Sequence, residues 1–241
     1  MTARLAWPVA FGPMALVASA GPLVQWSWVS SQSGMILSLV LQHIELTVIA
    51  VGVGLAISLP LGLLAWRLPV LQGPVTGVTG LLYVVPSVAL LALVAPVTGF
   101  FSVTTAEVAL VSYTLLILVR NIVAGLSSVP EEAHAAARGM GYTPLGELFR
   151  IRLPLALPSL LGGLRVATVT TVGLVNVTAF IGQGGLGQLV IQQGFQENFN
   201  TPIVVGLVLS MLLAGVADAM LVLAQRLSLP WLRSQAAQGS S

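Results

Sequence analysis

Five apolar runs follow one another along the chain, from about Ile44 to Trp66, Pro74 to Thr98, Thr105 to Leu126, Leu155 to Ile181 and Ile203 to Gln225, with short polar breaks between them. Each is long enough to cross the hydrocarbon core of a bilayer, which takes about 20 helical residues. The pattern predicts an all-α, polytopic integral membrane bundle with five core spans. A sixth apolar stretch, Trp7 to Val24, is interrupted by Pro8, Pro13 and Pro22, so residues 1–34 read either as an extra span or as an interfacial segment. Trp26 and Trp28 lie among serines and glutamines between Gln25 and Gln42, a composition suited to a membrane–water interface. The spans and their connections define one membrane domain, 35–226, followed by a polar tail, 227–241.

The longest polar break, 127–154, has helical signals of its own. Ser128 and Glu131 match a capping box, with Pro130 in the first turn, so a helix is expected to start there. Ala133, Ala136, Ala137 and Met140 then recur at helical spacing as one stripe, which would allow close approach to a partner. Gly139 and Gly141 end this helix. Thr143-Pro144 caps a second short helix through Ile151, and Leu153-Pro154 turns the chain into the next span. Spacing alone fits a docking element and a helix lying on the bilayer surface equally well.

Composition narrows the chemistry. The chain is 56% hydrophobic and 7% charged, with a mean hydropathy of +1.00, which leaves no room for a separate soluble domain. Its basic residues are all arginine, so a phosphate-binding G-x-x-x-x-G-K-[ST] loop cannot be written and any ATP chemistry must reside on another chain. Without cysteine there is no thiolate ligand or nucleophile. Arg67, Arg120, Arg138, Arg150, Arg152, Arg226 and Arg233 all fall on one side of the spans, so the island and the C-terminus are expected to be cytoplasmic.

Three further features bear on function. Gly182-x-Gly184-x-x-Gly187 has the spacing of a dinucleotide fingerprint but follows a membrane span, not a strand, and reads as an external glycine turn. His43 and Glu45 have no third metal ligand in view. Arg165 and Asp218 sit inside spans, where charge is costly. Counted from Pro158 and Arg226, both lie roughly 10–12 Å from the cytoplasmic interface, at 1.5 Å per residue. They are expected to pair with each other, to face the inner vestibule separately, or to leave Arg120 as the partner.

The island resembles the cytoplasmic coupling loop of binding-protein-dependent ABC importer permeases of type I. That pattern runs Glu-Ala-Ala, three residues, Gly, nine residues, an aliphatic, one residue, then Leu-Pro. Ala136-Ala137, Gly141, Ile151 and Leu153-Pro154 occupy its places, whereas Ala135 stands where glutamate is usual and Glu131 and Glu132 lie a turn earlier. Tyr83-Val-Val-Pro-Ser-Val-Ala-Leu-Leu91, Arg120-Asn121, Arg138-Gly-Met-Gly141, Leu153-Pro-Leu-Ala-Leu-Pro158 and Phe180-Ile-Gly-Gln-Gly-Gly-Leu-Gly187 are similar to the osmoprotectant branch. The resemblance implies a non-enzymatic permease subunit in a bacterial cell membrane, importing glycine betaine, carnitine or choline. Its expected partners are a second permease subunit, two cytoplasmic ATPase subunits and an extracytoplasmic binding protein. It implies no cofactor on this chain, ATP being used by the ATPase. It also implies ATPase coupling through Glu131, Glu132, Ala136, Ala137, Arg138, Gly139, Gly141, Ile151, Leu153 and Pro154. Pro86, Ser87, Gly182, Gly184, Gly185 and Gly187 become pathway or gating candidates. A same-class permease for an amino acid or an oxyanion, or a stand-alone secondary carrier, are the rival readings. The carrier would require ion and substrate sites in repeated halves, and no repeat is visible.

Overall fold

The computed structural model describes residues 23–228. The proline-interrupted stretch before residue 23, and most of the C-terminal tail with Arg233, lie outside the described residues. Among the described residues every regular element is helical: α1 (Trp26–Ser31), α2 (Ser33–Arg67), α3 (Pro69–Val84), α4 (Ser87–Thr98), α5 (Val103–Ser127), α6 (Glu131–Gly139), α7 (Pro144–Glu147), α8 (Leu153–Val175) and α9 (Asn200–Ser228).

Helix α5 is the hub. It runs parallel to α2, and small residues let the two backbones come close: a Cβ on Gly62 would lie 2.7 Å from Ile122 Cγ2. It runs antiparallel to α8, where Gly125 meets Ser159 and Leu160 and Gly163 meets Asn121. Three apolar clusters pack around α5. Leu46, Ala50, Ala106, Leu110 and Val175 pack together, Leu90 and Leu91 pack on Ala109 and Tyr113, and Ile122 and Leu126 pack on Leu148 and Ala156. Helix α9 is peripheral and carries exposed apolar side chains such as Met211, Val216 and Met220.

Three spans differ from the sequence reading. The run from Pro74 to Thr98 is not one straight helix: α3 and α4 meet at 101° across Val85-Pro86. A proline disfavours helical backbone in the residue before it, and Val85 is extended at φ −61°, ψ 127°. The break releases backbone carbonyls at bilayer depth, and the Tyr113 hydroxyl of α5 donates to that of Val85. The run from Leu155 to Ile181 stops being α-helical at Val175 and tightens into a 3₁₀ turn over Val177–Ile181. Helix α2 also continues further than the run suggested. It takes in Ser33 to Gln42, which the sequence placed at the interface.

Candidate functional site

At the arginine-rich end, the expected capping box does not form. Ser128 closes α5, its hydroxyl donating to the Gly125 carbonyl, and α6 starts at Glu131 behind Pro130 without a side-chain cap. The end of α6 is well defined: Tyr142 N–H donates to the Ala137 carbonyl and Gly141 N–H to that of Arg138, the paired bonds of a Schellman motif. Gly141 supplies the left-handed residue, φ +76°. Thr143 then caps α7 by accepting from Gly146 N–H at 3.1 Å, with Pro144 at its first position.

The alanine stripe divides between two faces of α6. Ala137 is buried and Ala133 partly so, whereas Ala136 and Met140 face outward with Glu131, Glu132, Arg138 and Gly139. Ile151, Leu153 and Pro154 are half-buried at the entry to α8. Between α7 and α8 the backbone widens into a π turn, Leu148–Arg152, closed by Leu153 N–H to the Leu148 carbonyl. Pro154 accounts for this locally, since it has no N–H to give the Arg150 carbonyl and its ring crowds that group.

Charged side chains tie the loop together. Glu147 Oε1 meets His134 Nδ1 and lies 2.5 Å from Arg152 Nε, while Arg152 Nη2 is 2.6 Å from His134 Nδ1. Burial pushes the Glu147 carboxyl upward, but its hydrogen bonds to His134 and Arg152 outweigh this and hold it below the usual carboxylate range. It is therefore ionised at neutral pH. The Arg152 guanidinium also lies over the Trp66 ring at the end of α2, 5.1 Å from its centroid. Neither His134 nor Glu147 belongs to the recognisable coupling pattern, and the i, i+5 spacing of Glu147 and Arg152 gives no signal of pairing in an α-helix.

At the opposite end, the glycine turn folds onto α2. Gly182 and Gly185 have φ of +74° and +48°. A Cβ on Gly185 would fall 2.7 to 2.8 Å from the His43 backbone and Cβ, and Gly184 and Gly187 press as closely on Ala179 and Asn176. His43 is fully buried. Its Nε2 lies 3.0 Å from the Val172 carbonyl, and its Nδ1 accepts from Leu186 N–H at 3.3 Å. These partners define the neutral Nε2–H tautomer and occupy both nitrogens that a metal would need. Gln42 extends the clasp to Gln183 and Gln188. A dinucleotide fold is excluded for this segment, because a 3₁₀ turn stands where the strand should be.

Between the two ends, Arg165 and Asp218 meet through two hydrogen bonds, Nε to Oδ1 at 2.8 Å and Nη2 to Oδ2 at 2.9 Å. An apolar cavity of about 530 Å³ lies beside them between α2, α8 and α9. Thr47 and Thr168 are its polar lining residues, and with no aromatic ring it offers no cage for a cation. Pro86 and Ser87 form the elbow before α4. Glu107, on α5, was missed in the sequence: both carboxylate oxygens are buried and lack a hydrogen-bond partner among the described residues. An acid inside an apolar run is the signal that would have found it.

The helical bundle has the permease fold of type I ABC importers. The chain belongs to the family of binding-protein-dependent transport system inner membrane components, which residues 54–228 match. It is thus a membrane-spanning transport protein. Among its relatives, the osmoprotectant import permease protein OsmW of Salmonella typhimurium is 37% identical over 193 residues, covering 78% of this chain and 89% of OsmW. The choline transport system permease protein OpuBB of Bacillus subtilis is 32% identical over 201 residues, 83% of this chain and 91% of OpuBB. In fold, the chain is similar to a chain of the inward-facing MetNI methionine ABC transporter, with a TM-score of 0.76 at 24% identity, over 82% of this chain and 98% of that one.

Proposed function

We propose that this chain is the permease subunit of an ATP-driven importer for osmoprotectants such as glycine betaine, carnitine or choline. The observation that carries the coupling role is the outward face of α6, where Glu131, Glu132, Ala136 and Gly139 stand clear of the bundle while Ala137 anchors the helix to it. Two ATPase subunits, one on the α6 face of each of the two permease subunits, grip the transporter, and their closure on ATP moves α8 through Ile151, Leu153 and Pro154. ATP is consumed there and not on this chain. A second permease subunit completes the pathway and an extracytoplasmic binding protein delivers the solute. The elbow at Pro86 and Ser87 and the turn of Gly182, Gly184, Gly185 and Gly187 shape the pathway. By the positive-inside rule the α6 loop and the C-terminus face the cytoplasm and the glycine turn faces outward. The substrate class is supported by the names of the relatives, and a cation cage belongs on the binding protein.

The test is purification of the tagged chain from its native membranes in mild detergent. A roughly equimolar ATPase that is lost from Gly141→Glu or Ala136→Glu variants supports the reading. A chain recovered alone, under conditions that preserve a control transporter, overturns it in favour of a carrier.

A further inference from the structure

We propose that Arg152, held by Glu147 and His134, is the positioning residue that passes movement of the docking helix to two transmembrane helices at once. The inference rests on the coupling role proposed for α6 and assigns the force path within it.

The geometry begins in the backbone. In an α-helix, residues five apart point about 140° away from each other. The π turn at Leu148–Arg152 closes i to i−5 and brings Glu147 and Arg152 onto the same side, so that Nε reaches Oε1. Pro154 thereby contributes to side-chain pairing as well as to chain direction. His134 adds α6 to the cluster: its Nδ1 touches both partners, accepting from Arg152 when unprotonated and donating to Glu147 when protonated. The Trp66 face adds the end of α2. One guanidinium therefore links α6, α7, the start of α8 and the end of α2.

Burial separates this cluster from an ordinary surface ion pair. The His134, Glu147 and Arg152 side chains are 14%, 8% and 15% exposed, so bulk water does not offer ready replacement partners. The residues on the outward face of α6 take no part in it. Docking and transmission are thus assigned to different side chains of one short loop.

The experiment reconstitutes the complete importer, with its co-purified ATPase and binding protein, in proteoliposomes. Uptake of glycine betaine or choline, whichever the wild type imports, is measured together with ATP hydrolysis in the same vesicles. Arg152→Gln and Glu147→Gln are expected to keep equimolar ATPase and normal membrane yield but to lower solute imported per ATP at least tenfold. The exchange Glu147→Arg with Arg152→Glu should recover part of that ratio, because the ion pair between α7 and the start of α8 is restored while the Trp66 link to α2 is lost. Variants that bind ATPase and keep uptake per ATP within twofold overturn the proposal. So do variants that lose the ATPase, since the cluster would then be shaping the docking face. If the exchanged pair inserts normally but stays as poorly coupled as the singles, transmission through the pair is also ruled out. A wild-type chain with no ATPase bound defeats the coupling reading itself, a result distinct from these.

Discussion

The two ends of the bundle both depend on glycine, for opposite reasons. At Gly141 the backbone is left-handed and the space around an added Cβ is empty within 4 Å. At Gly185 the backbone is also left-handed, but the space is already filled by His43. The first glycine ends a helix in the open, and the second lets one segment lie against another with no gap. The rest of each end follows suit. The arginine-rich end presents an exposed face and is tied by a single charged cluster. The glycine-rich end is tied by neutral hydrogen bonds to a fully buried imidazole. One is an open face held by a few charged contacts, the other a close-packed clasp with no exposed seam.

Asparagine at both positions gives the sharpest contrast, because asparagine tolerates left-handed backbone but needs room for its side chain. Gly185→Asn is expected to cost about 3 kcal/mol or more through overpacking, read as a collapse of the detergent melting temperature and loss of uptake. His43→Ala comes next, at about 2–4 kcal/mol, since it leaves Leu186 N–H and the Val172 carbonyl unpaired and a buried side chain missing. Asp218→Asn, between the two ends, should lower the amount of assembled protein several-fold, and Asp218→Arg with Arg165→Asp should recover it; a double variant no better than either single breaks that pairing. Gly141→Asn is expected to cost less than about 1 kcal/mol and leave ATPase binding within about twofold. Equal penalties at Gly141 and Gly185, in melting and uptake together, would erase the distinction between the two ends.

Much of this arrangement was legible in the residues. Apolar run length locates the spans, and counting from Pro158 and Arg226 puts Arg165 and Asp218 at one depth. The family pattern in the island picks out Gly141, whose φ then explains why that position is glycine. What was hidden depends on backbone irregularity. A hydropathy window averages over Val85-Pro86 and cannot separate a kinked helix from an elbow. Ser128 and Glu131 have capping-box spacing, but the preceding helix keeps Ser128 for its own end. Glu147 and Arg152 meet only because Pro154 widens the turn before it. The clasp at His43 carries no signal in the sequence, because its partners, Val172 and Leu186, are far away in the chain and contribute backbone atoms, which carry no residue signature.

The elbow between α3 and α4 has a consequence for the lipid around the protein. With 16 and 12 residues, the two arms are about 24 Å and 18 Å long, and at 101° they cannot both stand upright. Joined straight they would measure about 42 Å, well beyond a hydrocarbon core of roughly 30 Å. The angle at Val85 therefore sets how much bilayer thickness this pair takes up. Where other spans meet a thicker or thinner membrane by tilting as a whole, this one has a joint, and a change of lipid chain length bears on a single pair of backbone dihedrals.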